Sequence, residues 1–526
     1  MWAKLLLLFF VFSFLFRTDH SFDQDLGRHI KLGEIIWLAK EVPKTNLFSY
    51  TNPDFQFINT HWLFEVLAYL FSGALPLFLI LKIVIFLLST WLILKNIKSA
   101  ILLPVGFIFM HTLRERLELR PEVFSFLFTA ITLYILEKKK RLFLLPIIQL
   151  IWINIHIYFF IGLILQTIYL VHQRTKLLTT ILGISVLVSL INPNGLNGFL
   201  YPLNVSKNYG YTIVENQTMF LLENIKFSDP NFLFVKLSVG IVALSILVAF
   251  FRKQFGIKNI LLALSGAVLA LLNVRSFPYL IFLSLPATLA NFGQIKKNGL
   301  FSFLSLVTCV LLLLESFFYL NGDYYKYRDD NDQVGIQFTE NVKGGMDFVL
   351  IQNLPGPIYN NFDIGSYILY RGYPKYKVFV DGRPEAYPKE FFLETYIPGQ
   401  SDYLKFKEQE RKFGFRTIIF SHTDQTPWAK TFLQAVFKDP EWKLVYIDNF
   451  MLVLAKENLP VVDLSKLSPN QFNFSNHRDY LQLGLFLFSQ NQASGKLFIE
   501  KALQLFPNSP IANTISGNPT SNIFFW

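Results

Sequence analysis

The residues whose types and spacing could do chemistry begin near the start of the chain, in Asp19-His20-Ser21-Phe22-Asp23-Gln24-Asp25-Leu26-Gly27-Arg28-His29. Asp23 and Asp25 are carboxylates two residues apart, just past an apolar run. Such a pair can take a proton as a general base or share a divalent cation, Mg or Mn. The plainer reading is an acidic turn, with Asp25 as the N-cap of the next helix. Farther on, His61 and Glu65 are four apart and share a helix face around Trp62. The plainer reading there is an interfacial tryptophan anchor beside a paired polar face. Arg114, Arg116, Arg120 and Glu122 cluster between two apolar runs, His156 follows Asn154 at the end of another, and Arg275 separates two more. Arg120 and Arg275 suit a phosphate or pyrophosphate held by charge-assisted, bidentate bonds. Snorkelling, or ion pairing with Glu118 or Glu122, is the alternative.

The elements that must position these residues follow from composition. The 526 residues are 52% hydrophobic and only 16% charged, with 57 phenylalanines and a mean hydropathy of +0.38. A soluble domain carries about 25% charged residues, so disordered, collagen-like and ordinary cytosolic classes are excluded. Apolar runs cover 5–16, 76–94, 99–113, 122–137, 142–156, 157–171, 177–192, 232–251, 259–273, 276–292 and 300–320. They predict an α-helical polytopic membrane protein of about eleven spans over 1–320. Two long outer loops, 17–75 and 192–231, interrupt it, and an amphipathic helix over 28–40 is expected to lie on the outer interface.

Charge sets the orientation. Residues 1–320 hold 27 basic and 15 acidic residues, and 321–526 hold 21 and 22. With the N-terminus inside, the inner segments carry fourteen basic residues, from Lys4 through Lys138–Arg141 to Lys296 and Lys297, against Glu137 alone. That bias predicts a multi-pass protein of the cytoplasmic (inner) membrane with its C-terminal domain outside. The basic excess lies in the membrane half, which argues against nucleic acid as a partner. The single cysteine, Cys309, excludes an intrachain disulfide and a CxxC motif.

Beyond residue 320 the pattern changes. Short β-rich runs at 357–359, 367–369, 378–380, 417–420, 444–446 and 451–454 alternate with helical patterns at 337–353, 388–412 and 427–438. An extracytoplasmic α/β domain over 321–460 follows. Residues 461–526 read as a short helical tail resembling one tetratricopeptide repeat, which must pack on the α/β domain or on a protein partner. Asp381-Gly382-Arg383 reads as a turn after a strand. Asn204-Val205-Ser206 and Asn216-Gln217-Thr218 match the weak glycosylation pattern.

The stretch Asp23-x-Asp25-x-x-x-His29-x-x-x-Gly33, then Pro43, Phe48-Ser49-x-Thr51 and His61-Trp62-Leu63-x-Glu65, resembles a family of bacterial multi-pass proteins similar to the GT-C superfamily of glycosyltransferases. Asp25 and Arg28 match the Asp-Glu-x-Arg-Tyr pattern of its aminoarabinose and protein-mannosyl transferase branch, and Leu26 departs from it. The resemblance implies hexosyl or pentosyl transfer from a polyprenyl-phosphate-linked sugar to an unspecified acceptor at the outer membrane face. It implies Asp25 or Asp23 as base or cation ligand, with Arg28, His29, His61, Glu65, Arg120, Glu122, His156 and Arg275 binding substrate. The alternative, favoured by Leu26, is a non-catalytic membrane scaffold that presents the outer regions for cell-envelope assembly. A transporter would keep its polar residues near the midplane, whereas here they gather at span ends.

Overall fold

A computed structural model describes residues 1–204, 209–227, 229–293 and 298–517. The sequon at Asn204-Val205-Ser206, Lys296 and Lys297, and the last nine residues of the tail therefore lie outside the described residues in whole or in part.

A helix stands at each of the eleven apolar runs. These are α1 (Trp2–Leu15) and, after the first outer segment with α2 (Gly27–Ala39) and α3 (Trp62–Leu70), α4 (Leu75–Leu94), α5 (Leu102–Met110), α6 (Glu122–Lys138), α7 (Leu144–Ile155), α8 (Phe160–Gln173), α9 (Lys176–Val188), α10 (Asn231–Phe251), α11 (Ile257–Leu272), α12 (Leu285–Phe292) and α13 (Gly299–Leu320). Among the described residues, three helices are long and apolar enough to cross a membrane: Ser72–Leu94, Asn231–Phe251 and Gly299–Leu320. The others are shorter; turns of three-ten or π geometry at 111–116, 157–159 and 280–284 adjoin α5, α8 and α12. On α13, Leu300, Phe303, Leu306, Leu314 and Phe317 are more than half exposed. Such a surface is stable only against an apolar solvent.

The first outer segment is no open loop. Gly33 on α2 lies against α3 so closely that a Cβ would stand 1.9 Å from the Glu65 carbonyl oxygen. The predicted interfacial helix therefore sits differently. Arg28, His29, Ile30, Leu32 and Gly33 are buried, and only its end, with Trp37 and Leu38, faces outward.

The C-terminal part holds a four-stranded sheet of β1 (Ile358–Asn360), β2 (Thr417–Ser421), β3 (Lys443–Ile447) and β4 (Met451–Ala455), in the order β1-β2-β4-β3. β1 pairs parallel with β2, and the other pairs are antiparallel. Two predicted strands are corrected. Residues 365–372 form a helix, because Ser366 and Tyr370, four apart, face Gly27 on α2. A short apolar run cannot distinguish that helix from a strand. Val378 makes a lone bridge to Ser49 instead of joining the sheet. The tail forms helices His477–Ser489 and Gly495–Leu505, which meet at Gly484 and Gly495. Their apolar face joins the core of the α/β part, and Asp329 ties them down through His477 Nε2 (2.9 Å), Ser509 Oγ (2.9 Å) and the Ile511 amide (2.8 Å).

Apolar packing crosses residue 320. One apolar cluster runs from Leu7 on α1 to Ala455 on β4. The outer segment carries it across, pairing Arg17 with Val334 and Asp19 with Phe338.

Candidate functional site

Asp25 lies in a widened turn, Phe22–Leu26, that runs directly into α2. Phe22 pins the turn by packing its ring on Phe338, Tyr367 and Tyr370. Across from it sits the Asp381-Gly382-Arg383 turn, where a Cβ on Gly382 would meet the Gln24 carbonyl at 2.8 Å. That turn is clasped by Arg383, whose Nη2 donates to Asp381 Oδ2 (2.7 Å) and Asn46 Oδ1 (2.8 Å). Residues of the C-terminal part thus hold the Asp25 turn in place.

Asp25 does not cap α2; its carboxylate faces two arginines. Arg28 Nη2 donates to Oδ1 at 2.8 Å, and Arg120 Nε stands 3.3 Å from Oδ2. Burial alone would raise its pKa, but Arg120 and then Arg28 overcome it and hold the carboxyl at about 2. Arg120 Nη1 also donates to Glu215 at 3.0 and 3.1 Å. Glu215 in turn receives Arg275 Nη2 (3.0 Å) and Arg116 Nη1 (2.5 Å), and Arg116 Nε reaches Glu122 (2.5 Å). Four guanidiniums and three carboxylates therefore form one connected chain of net charge +1. Its members keep accessible surface: side-chain exposure is 18% for Asp25, 27% for Glu215 and 24% for Arg275.

A second row flanks the first. The rings of His29 and His61 are 6.0 Å apart, those of His61 and His156 5.6 Å, and those of His156 and Tyr158 5.1 Å. His29 Nδ1 is 3.3 Å from Glu65 Oε1, and Asn59 Nδ2 donates to the other Glu65 oxygen at 2.7 Å. Ser125 Oγ accepts from Trp152 Nε1 (2.7 Å), which leaves its own proton for His156 Nδ1 at 2.8 Å. Tyr158 lies within 3.1 Å of the Ser276 hydroxyl, beside Arg275. Burial, then His29, keeps the His61 imidazole neutral with a pKa of about 3.

The structure thus brings together Asp25, Arg28, His29, His61, Glu65, Arg120, Glu122, His156 and Arg275. It sends Asp23 elsewhere. The Asp23 carboxylate accepts from the Asn341 (3.0 Å) and Val342 (3.4 Å) amides, at the start of helix Lys343–Ile351. This corrects the expectation of a paired Asp23–Asp25 base or metal site, because the alternate residues face different partners. The residues do not fit a divalent cation: guanidiniums surround Asp25, and among the described residues no group of three or more His, Cys, Asp or Glu could hold a metal. Glu215 and Arg116 were not among the residues singled out as substrate-binding from sequence. The signal available for Glu215 was an acid in the second outer loop of a chain with too many outer arginines. Its neighbour Asn216 belongs to a sequon, but Gln217 and Thr218 have structural roles, as acceptor for the Val274 amide and cap of helix Met219–Asn224.

No protein-family model matches this chain, and no curated protein sequence matches it. Its predominantly helical fold is similar to that of one solved structure. That structure is the archaeal oligosaccharyltransferase AglB from Archaeoglobus fulgidus, in complex with an inhibitory peptide and a dolichol-phosphate. The match covers 99% of this chain and 87% of that one, with a TM-score of 0.52 and 11% identity.

Proposed function

We propose that the protein is a glycosyltransferase that moves a hexosyl or pentosyl group from a polyprenyl-phosphate donor to an acceptor hydroxyl at the outer face of the cytoplasmic membrane. One observation carries this reading: the connected chain from Arg28 through Asp25, Arg120 and Glu215 to Arg275 has net charge +1. One phosphodiester anion cancels that charge. The fold shared with a protein solved with dolichol-phosphate supports it.

In this mechanism the acceptor oxygen attacks the sugar carbon from the face opposite the phosphate, with inversion. The carbon–oxygen bond to phosphate breaks, and the electron pair leaves with the polyprenyl phosphate. That group gains negative charge as it departs, so Arg120 and Arg275 bind the transition state more tightly than the donor. Asp25 orients the acceptor hydroxyl and stabilises the positive charge that develops as its proton loosens. A carboxyl held at about 2 is a weak base. The released phosphate, with a second pKa near 6, is the better final seat for the proton. His61, Glu65 and His156 line the pocket.

Asp25→Asn, assayed for transfer in membranes, should lower the rate by about 10²–10³-fold. Full activity would remove Asp25 from the mechanism. The second reading, a scaffold, is favoured by the apolar Leu26, which is wholly buried at the position next to Asp25. It requires that the unaltered protein neither binds polyprenyl phosphate nor transfers sugar.

A further inference from the structure

At the end of the helix bundle that carries Asp25, on the other side of the segment holding Arg116, lies a second polar cavity of about 210 Å³. Its walls come from the end of α1 (Arg17), the 114–117 segment (Arg114, Glu115), the start of α10 (Asp229, Asn231) and the chain after α13 (Tyr319, Tyr324, Tyr325, Arg328, Asp330). About seven waters would fill it at roughly 30 Å³ each, so it has room for a small ligand with two charged ends.

Three features say what kind. First, the described residues place Glu115, Asp229 and Asp330 in no ion pair. Glu115 accepts from Asn231 Nδ2 (3.1 Å), Asp229 from the Asn231 amide (2.6 Å) and Asp330 from the Asp332 amide (3.3 Å). Burial and then Asp229 push the Glu115 carboxyl up to about 7, a repulsion that a bound cation would relieve. Second, Tyr325 (4% exposed) and Asn231 (6%) each keep a buried polar atom without a hydrogen-bond partner, Oη and Oδ1, and Arg17 keeps Nε. A donor and an acceptor left unmet in one cavity call for a ligand bearing both. Third, Arg114 and Arg328 lie over the Tyr324 ring at 4.8 and 5.3 Å, which places guanidinium charge at the wall for the anionic end of a ligand.

The flanking helices say where the ligand comes from. Only 39% of the most apolar stretch of α10 and 17% of that of α13 is buried. A cavity between the ends of two such helices lies at the depth of lipid headgroups.

We propose that this cavity binds a zwitterionic phospholipid headgroup with a primary ammonium, phosphoethanolamine, its ammonium among Glu115, Asp229 and Asp330 and its phosphate against Arg328. The full chain in nanodiscs or micelles tests this by native mass spectrometry against phosphatidylethanolamine, phosphatidylglycerol and phosphatidylcholine. Phosphatidylethanolamine should bind about tenfold more tightly than phosphatidylglycerol, which lacks the ammonium, or phosphatidylcholine, whose ammonium donates no hydrogen bond. Asp229→Asn still offers an oxygen to the Asn231 amide, so helix α10 keeps its start while the preference should fall to below about twofold. Arg328→Gln should weaken phosphatidylethanolamine and phosphatidylglycerol alike. Glycerophosphoethanolamine, the headgroup without acyl chains, should compete poorly. Equal retention of the three lipids, an unchanged preference in a normally melting Asp229→Asn, or full competition by the soluble headgroup would each overturn the proposal.

Discussion

Arg275→Gln separates a phosphate-binding role from a structural one. Arg275 gives Nη2 to Glu215 at 3.0 Å and retains 24% side-chain exposure. Its loss does not orphan Glu215, which still receives Arg116 at 2.5 Å and Arg120 at 3.0 and 3.1 Å. The fold should therefore survive. The charge of the network falls from +1 to zero, and on the proposed function the donor phosphate would lose a charge-assisted bond. Two unit charges 4 Å apart interact by about 4 kcal/mol at an effective dielectric of 20. The partial exposure of Arg275 favours the smaller figure of about 1.5–3 kcal/mol for one hydrogen bond to a charged group. That corresponds to a Kd for polyprenyl phosphate weakened about 10- to 150-fold. The assay is lipid titration in detergent, with the thermal midpoint measured on the same sample. Arg116→Gln is the contrast. Arg116 is 4% exposed and holds both Glu122 and Glu215, so breaking that buried pair should cost about 3–5 kcal/mol of stability. If Arg275→Gln binds the lipid normally, or if it melts as early as Arg116→Gln, the reasoning fails.

Three further outcomes are expected. Gly33→Ala places a methyl group against the Glu65 carbonyl, a backbone atom that cannot yield without parting α2 from α3. The loss should be about 1–3 kcal/mol, read as a lower thermal midpoint, and an unchanged midpoint would contradict the packing. Burial, as the largest cause, lifts Asp23, Glu115, Glu118 and Asp363 to about 7 from ordinary values of 3.8–4.5. The folded state binds more protons there than the unfolded chain, so stability should fall as pH rises from about 4 to 7. Asp25, held at about 2, works the other way, losing its contribution as pH drops from about 4 to 2; a midpoint that climbs steadily from pH 5 to 8 would refute the first of these signs. Finally, in a Cys309→Ser background, a membrane-impermeant thiol reagent should label Asp54→Cys from outside and leave Lys138→Cys untouched; labelling both from one side would reverse or abolish the proposed orientation.

The helices were legible because apolar run length is a local property: every one of the eleven runs contains a helix. The strands at 358–360, 417–421, 443–447 and 451–455 were legible for the same reason. Residues 367–369 misled because their helix is decided by α2, which lies more than three hundred residues earlier in the chain. Ser366 Oγ accepts the Arg28 amide at 2.8 Å, and no local pattern encodes that. The interfacial reading of α2 failed likewise. Its amphipathic pattern is real, but α3, together with the 365–372 helix, rather than lipid covers its first half.

The site shows why single residues were easier to find than their roles. Charged side chains at span ends stand out, since burying them is costly without partners, and Asp25, Arg120 and Arg275 were marked on that ground. Which carboxylate faces which cation depends on the path of the backbone, and there Asp23 and Asp25 part company. Glu215 was hidden more deeply. A lone glutamate in a long outer loop has no periodicity and no motif that composition can detect. Its importance comes from three guanidiniums drawn from two other segments, 116–120 and 275. In the folded protein those three positive charges would repel one another across a few ångströms without it. Its carboxylate is therefore held well below its ordinary pKa, burial opposing this and Arg116, Arg120 and Arg275 prevailing. A group so placed is charged at every working pH. It sets the network at +1 rather than +2, the charge that a single phosphate monoanion cancels. On the proposed function that charge balances the donor diester and, once the released phosphate has taken the acceptor's proton, its monoanion equally, so Glu215 keeps the occupied site neutral on both sides of the reaction.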